Sequence, residues 1–186
     1  AFANSGLISV VSLERLSKVS DNMFVDCVKL EAIYGSLPGA IGIYAFKNCS
    51  KLVLSAGQLN AVTTIGNGAF DSCRGIVGEI SLPQIKSIGS NAFAFSGITS
   101  IDLTGAPITE IGSWAFEKMS ALKKITISAN VSKFCANIFL YSSNLSEIHL
   151  LSATPAVLEA DALKISDNDV YSGIIYVPQG CLETYK

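Results

Sequence analysis

The sequence is poor in the residue types from which reactive centres are built. Its 186 residues include one histidine and one tryptophan, and only 15% of the chain is charged. A general base needs a nucleophile and an orienting partner beside it, so the solitary His149 can support one such centre at most. None of the five cysteines forms a C-x-x-C pair, and none lies close to His149 in sequence, which leaves zinc without its usual signature. No G-x-G-x-x-G or Walker sequence follows a strand-like run, so nothing points to a nucleotide phosphate. The 13 basic residues are scattered among 15 acids for a net charge of −2, and without clustered cations nucleic acid is excluded as a partner. Mean hydropathy is high at +0.45, yet no stretch approaches the roughly 18 consecutive apolar residues of a spanning helix. A secretory signal and an initiator Met are also missing from the sequence, as expected of a mature or recombinant fragment.

What the chain has instead is repetition. A six-residue phrase returns as IGIYAF at Ile41 to Phe46, IGNGAF at Ile65 to Phe70, IGSNAF at Ile88 to Phe93 and IGSWAF at Ile111 to Phe116. Phe2, Phe24 and Phe139 fall in line with these copies, giving steps of 22, 22, 24, 23, 23 and 23 residues. A period of this length means that each unit cannot bury its own apolar face and must stack on its neighbours, which is a solenoid. A last, irregular unit places Ala162 and Leu163 in the Ala-Phe slots 24 residues after Phe139. The chain therefore starts inside a repeat and ends soon after the strand-like run Ile174 to Val177, as expected of a piece cut from something longer.

Each slot has a physical role. The clearest copy, Ile98-Thr99-Ser100-Ile101-Asp102-Leu103, alternates and is β-branched. It reads as a short strand with Ile101 and Leu103 inward and Ser100 and Asp102 outward. Leu122 to Ile127, Leu145 to Leu150 and, more loosely, Ile76 to Leu82 share that phase, and stacking them in register predicts one long parallel sheet on one face. On the return side Ile111 points inward, Gly112 permits a tight or positive-φ turn, Ala115 stays small for close backbone, and Phe116 fills the interior. Its equivalents then form an aromatic spine. About seven coils at the ~4.8 Å strand spacing give a rod on the order of 34 Å long.

The pattern I-G-x-x-A-F-x-x-C-x-x-L-x-x-I-x-L-P resembles the BspA-like class of leucine-rich repeats, found in secreted and surface-anchored proteins of anaerobic bacteria and some parasites. The resemblance runs over nearly the whole chain, and the tail from Ile175 to Lys186 is similar to the closing segment of such arrays in Bacteroides-type surface proteins. It implies an α/β fold, a right-handed leucine-rich-repeat solenoid of about seven coils. A parallel sheet would form one face, and short strands with 3-10 or helical turns the other. The whole of 1–186 is then one domain, with a partial first coil at 1–18, a six-coil core at 19–150 and an irregular last coil and cap at 151–186. Ser20 and Cys135 in place of the turn glycine, and Met23 and Ile138 in place of the alanine, are departures expected to disturb the first and last full coils.

Cys27, Cys49 and Cys73 each lie three residues after a spine phenylalanine, in the slot filled later by Ser96, Met119 and Ser142. That slot reads as a small core position. Neighbouring Cα atoms in adjacent coils would lie within disulfide reach, but parallel side chains point the same way rather than at each other, so reduced core thiols are favoured over disulfides or a metal. His149 sits on a strand with Glu147 on its own strand and Thr126 beside it; a triad can be drawn, but a solvent-facing histidine in a polar sheet is the simpler reading. No catalytic residue, metal ligand or cofactor is expected. Solenoids use an extended face assembled from many coils, so the candidate ligand-binding residues are the outward ones: Tyr34 (with Ala32 on the same strand), Glu79, Ser81, Ser100, Asp102, Lys124, Thr126, Glu147 and His149. Short side chains of mixed charge suit a polar protein or glycan. The resemblance adds an extracellular or surface-anchored, non-enzymatic adhesion role toward a host protein or glycan. The alternative is a stalk that displays another domain.

Overall fold

A computed structural model of the chain describes residues 1–55 and 57–185. Strands among them are β1 (Ser9–Val10), β2 (Lys18–Val19), β3 (Ala32–Ile33), β4 (Ala40–Ile41), β5 (Thr64–Ile65), β6 (Val77–Ser81), β7 (Ser87–Ile88), β8 (Gly97–Asp102), β9 (Glu110–Ile111), β10 (Lys124–Ile127), β11 (Lys133–Phe134), β12 (Glu147–Leu150), β13 (Val157–Leu158) and β14 (Ile174–Tyr176). They form a β-solenoid of about seven turns. On one wall β6, β8, β10, β12 and β14 make a five-stranded sheet, and on a second wall β2, β4, β5, β7, β9, β11 and β13 make a seven-stranded one. Every pairing between these strands is parallel.

Two features differ from the sequence expectation. The α/β description fits only loosely: no α-helix occurs among the described residues, whose helical content is the 3-10 turn Leu182–Tyr185. As expected of the return side, the isoleucine of the I-G phrase is the inward residue of a short, two-residue strand, aligned as Val19, Ile41, Ile65, Ile88, Ile111 and Phe134 from coil to coil. The next residue bonds between coils rather than along a helix, as in Gly66 N donating to Ile41 O at 2.8 Å and Gly112 N to Ile88 O at 3.0 Å. A glycine is needed at Gly112 for proximity and not for a positive φ, because a Cβ there would lie 2.7 Å from Gly89 C.

The left-handed backbone lies elsewhere. Two residues before each spine phenylalanine, φ is positive at Asn22, Tyr44, Gly68, Asn91, Trp114 and Asn137; two residues after it, at Asn4, Asp26, Asn48, Ser72, Phe95, Lys118 and Tyr141. Asn, Asp and Gly tolerate this region, whereas other L-residues resist it by roughly 1–2 kcal/mol each. Coil-to-coil hydrogen bonds enforce it. Tyr44 N, Phe46 N and Asn48 N donate to Asn67 O, Ala69 O and Asp71 O at 2.8 to 2.9 Å, and the pattern recurs in the following coils. This third, turn wall is thus a ladder of its own.

The other difference is that the first wall is interrupted. β1 pairs only with β3, and Val53 continues them by a single bridge to Ala32. Gln58 accounts for the break. This buried side chain donates from Nε2 to Ile33 O and Gly35 O, each at 2.7 Å, and accepts from Ser55 N at 2.6 Å. A side-chain amide therefore satisfies carbonyls that the next strand would have bonded.

The spine forms as expected. Phe24, Phe46, Phe70, Phe93, Phe116 and Phe139 are fully buried and stack in order with ring centroids 5.2 to 6.2 Å apart. Phe2 begins the stack, 5.5 Å from Phe24 but 48% exposed, since it has a ring on one side only. Cys27, Cys49 and Cys73 are buried free thiols. Each Sγ donates to a phenylalanine carbonyl of the preceding coil (Phe2, Phe24 and Phe46) at 2.9 to 3.1 Å. Ser142 Oγ does the same to Phe116 O at 2.7 Å, whereas Ser96 Oγ in the same slot is buried without a partner among the described residues and Met119 fills the slot with no donor. Burial, then the neighbouring Cys27, pushes the Cys49 thiol up to about 12.

Candidate binding face and cleft

Along the first wall, register fixes which outward side chains adjoin. Glu79, Ser100, Lys124, Glu147 and Ile174 form one row; Ser81, Asp102, Thr126, His149 and Tyr176 form the next. Between them the inward row Ile101, Ile125 and Ile148 is buried. Alternation along each strand therefore places eight of the nine expected site residues on one surface. Tyr34 is the exception: 60% exposed, it follows β3 in the separate two-stranded sheet.

The face is divided in chemistry. Toward β14, His149 does not stand free in solvent: its ring stacks on Tyr176 at 4.2 Å and its Nε2 lies 3.0 Å from Glu147 Oε2. Thr126 is its register partner on β10, but no hydrogen bond joins the two among the described residues. The contacts thus hold a ring pair rather than an activated hydroxyl. At the other end Asp102 Oδ1 accepts from Thr104 N at 2.9 Å and Thr104 Oγ1 at 2.6 Å, which closes the strand in a side-chain-stabilised turn.

The interruption of the sheet makes room. Beside the segment held by Gln58 lies an open cleft of about 410 Å³, with Glu79, Ser81, Ser100 and Asp102 on one side and Ser55, Leu59 and Asn60 on the other. A second, shallower one of about 400 Å³ lies between the same segment and Ile33, Tyr34 and Gly35. The residues that sequence reasoning assigned to a uniform strip are therefore distributed: four line the first cleft, Tyr34 lines the second, and Lys124, Thr126, Glu147 and His149 lie outside both. Ser55, Leu59 and Asn60 were not anticipated. Their signal was the loose match to the repeat after Leu54, in the coil where the phenylalanine step lengthens to 24. No cluster of three or more His, Cys, Asp or Glu that could hold a metal occurs among the described residues.

The repeat geometry agrees with the sequence families. A profile described as BspA type leucine rich repeat region matches six copies, over residues 1–56 and 39–166. The chain belongs to the BspA-type leucine-rich-repeat family. Its fold is similar to a crystal structure of a leucine-rich-repeat protein from T. pallidum, with a TM-score of 0.65 and 24% identity over 86% of this chain and 72% of that one. It is also similar to a leucine-rich-repeat protein from Bacteroides ovatus, with a TM-score of 0.62 and 24% identity, where 77% of this chain spans 42% of the other. No curated protein matches the sequence significantly. Such repeats form binding scaffolds. No described helix is long and apolar enough to cross a membrane.

Proposed function

We propose that this chain is a non-catalytic binding module of an extracellular or surface-anchored protein, engaging a host protein or glycan through the polar face of its first wall. The observation that carries this reading is the cleft, where Glu79, Ser81, Ser100 and Asp102 converge from adjacent strands and meet Ser55 and Asn60 across an open space. The Ile, Gly, Ala and Phe of the recurring phrase, by contrast, are consumed by turning and filling the coil. The cleft residues are polar and differ from coil to coil, as recognition requires. Its walls offer carboxylates, hydroxyls and an amide beside the apolar Leu54, Leu59 and Ile80, a combination suited to a ligand with both polar and apolar faces.

The test is a screen of the chain against immobilised matrix proteins and a glycan array, followed by Glu79→Ala and Asp102→Ala on any hit. At least a tenfold weakening by either substitution is expected. Binding that both variants retain in full would remove the cleft from the site. A chain that captures nothing in such a screen would be a spacer, a reading favoured by the uninterrupted ring stack that makes the solenoid a stiff rod.

A further inference from the structure

A sheet that stops short leaves a row of backbone donors and acceptors unbonded, and such an edge is a template for a further strand. The first wall stops at β6. This strand pairs with β8 on one side and is the last of its sheet on the other. In a regular coil the missing neighbour would come from the segment after Leu52, but that segment bonds only to the coil before it, Val53 by its bridge to Ala32 and Gln58 through Ile33 O and Gly35 O. No backbone hydrogen bond joins residues 52–60 to β6 among the described residues.

The gap shows in the inward row. Ile101, Ile125 and Ile148 are buried, yet Ile80, their register partner, is only partly so and lines the cleft with Leu54 and Leu59. An apolar side chain thus lies open between the outward Glu79 and Ser81. A bulge between Gly78 and Glu79, with Gly78 at φ 82, confines the regular edge to these three residues.

The edge also has a sign. Glu79 and Asp102 bring two carboxylates to the cleft, and no described lysine or arginine lines it. Glu79 makes no hydrogen bond or ion pair among the described residues, and Asp102 commits only Oδ1, to Thr104. Lys124, the cation of the outward row, stands two strands from Glu79 across Ser100, ~9.6 Å at the backbone and beyond the ~8 Å screening length of physiological salt. A cationic occupant would therefore meet uncompensated negative charge.

We propose that the cleft is filled by an extended peptide that adds as a strand to β6 and alternates basic with apolar residues. This rests on the cleft being the binding site and narrows its occupant to a peptide segment of a protein. Register dictates the alternation: outward residues of the added strand adjoin Glu79 and Ser81, where a lysine or arginine meets the carboxylate, and the residue between them points inward onto Ile80. A neutral glycan supplies neither the strand backbone nor the cation.

The probe is an end-capped peptide of three lysine-valine repeats, and its counterpart with glutamate for lysine is the charge control. Two further peptides carry N-methyl groups on alternate amides, at every lysine in one and every valine in the other, since a strand offers only one of these sets to a given edge. Titrated into isotope-labelled protein and followed by amide NMR, the lysine peptide should shift Glu79, Ile80 and Ser81 saturably and the glutamate peptide should not. One methylated peptide should bind about tenfold more weakly than the other, and Glu79→Gln, an exposed neutral replacement, should weaken the lysine peptide about three- to tenfold. No saturable shift with the lysine peptide, equal binding by the two methylated peptides, or full retention of binding by Glu79→Gln would overturn the proposal. A glycan captured in the screen above and lost in Asp102→Ala would remove the peptide while leaving the cleft as the site; capture of nothing, with no shift at β6, would remove both.

Discussion

The phenylalanine spine makes a quantitative claim that a pair of substitutions can check. Phe93 is fully buried between two rings, 5.4 Å from Phe70 and 6.2 Å from Phe116. Replacing it with alanine removes a benzyl group from a place where neither neighbour can close in, because both are held by coil-to-coil hydrogen bonds, Phe70 N to Ala92 O and Phe116 N to Ile138 O. A large-to-small change of this kind costs about 3 to 5 kcal/mol. In a domain of this size each kcal/mol lowers Tm by roughly 2 to 4 °C, so Phe93→Ala should melt about 6 to 20 °C below the parent. Phe2 provides the internal control: it occupies the same slot of the repeat but is 48% exposed and touches one ring, 5.5 Å away. Half the burial and one stack instead of two predict about 1 to 2 kcal/mol for Phe2→Ala, or a shift of no more than about 8 °C. Thermal melts of both variants, followed by circular dichroism, test the difference. A Phe93→Ala protein that melted like the parent, or a Phe2→Ala protein that lost as much as Phe93→Ala, would refute the argument that burial between stacked coils sets the stability.

Two further outcomes follow from other contacts. Gln58→Ala strips the donors from Ile33 O and Gly35 O; an uncompensated buried group costs about 1 to 3 kcal/mol, and proteolysis between Ser55 and Asn60 should quicken. Unchanged stability and cleavage would mean that the Gln58 amide does not shape the cleft. The buried thiols predict alkaline weakening: below pH 9 the Cys49 thiol is protonated in both states, while above it the unfolded chain ionises and the folded thiol, pushed up to about 12, does not. Stability therefore falls as pH rises from 9, by at most about 1.4 kcal/mol per pH unit for this thiol. Urea midpoints from pH 8 to 11 should fall less steeply in Cys49→Ser, and identical slopes would contradict it.

How far the sequence could be read depended on whether a residue's surroundings repeat. Phe93, Ile101 and Cys49 sit where every coil presents the same neighbours, so their period alone locates them inside. The absence of helices was harder to see, because Ala-Phe-x-x-Cys has a spacing that a helical turn would also satisfy; what excludes a helix is the bonding of Tyr44 N and Phe46 N across coils, a property of the stack and not of the segment. The positive-φ rows were hidden for a related reason. Asn91, Trp114 and Lys118 share a backbone conformation without sharing chemistry, since the conformation is imposed from the adjacent coil. Half of the cleft was legible, as Glu79, Ser81, Ser100 and Asp102 alternate outward on strands. Its other side depends on Gln58, a polar residue in an irregular stretch that gives no sign in sequence of being buried.

The missing helices have a consequence for shape. A leucine-rich repeat that packs helices about 10 Å wide behind strands about 4.8 Å apart must bend, since its two sides advance unequally. In this chain the wall opposite the first sheet is itself a parallel sheet and the turn wall is a coil-to-coil ladder, so all sides rise together by one strand spacing. Equal advance on all sides removes that cause of bending, so adding coils does not by itself hollow the face as in a horseshoe. Concavity has to be introduced by irregularity, and the side chain that introduces it is Gln58. Duplicating a regular coil would lengthen the face, whereas changing the cleft requires altering the one coil that departs from the repeat.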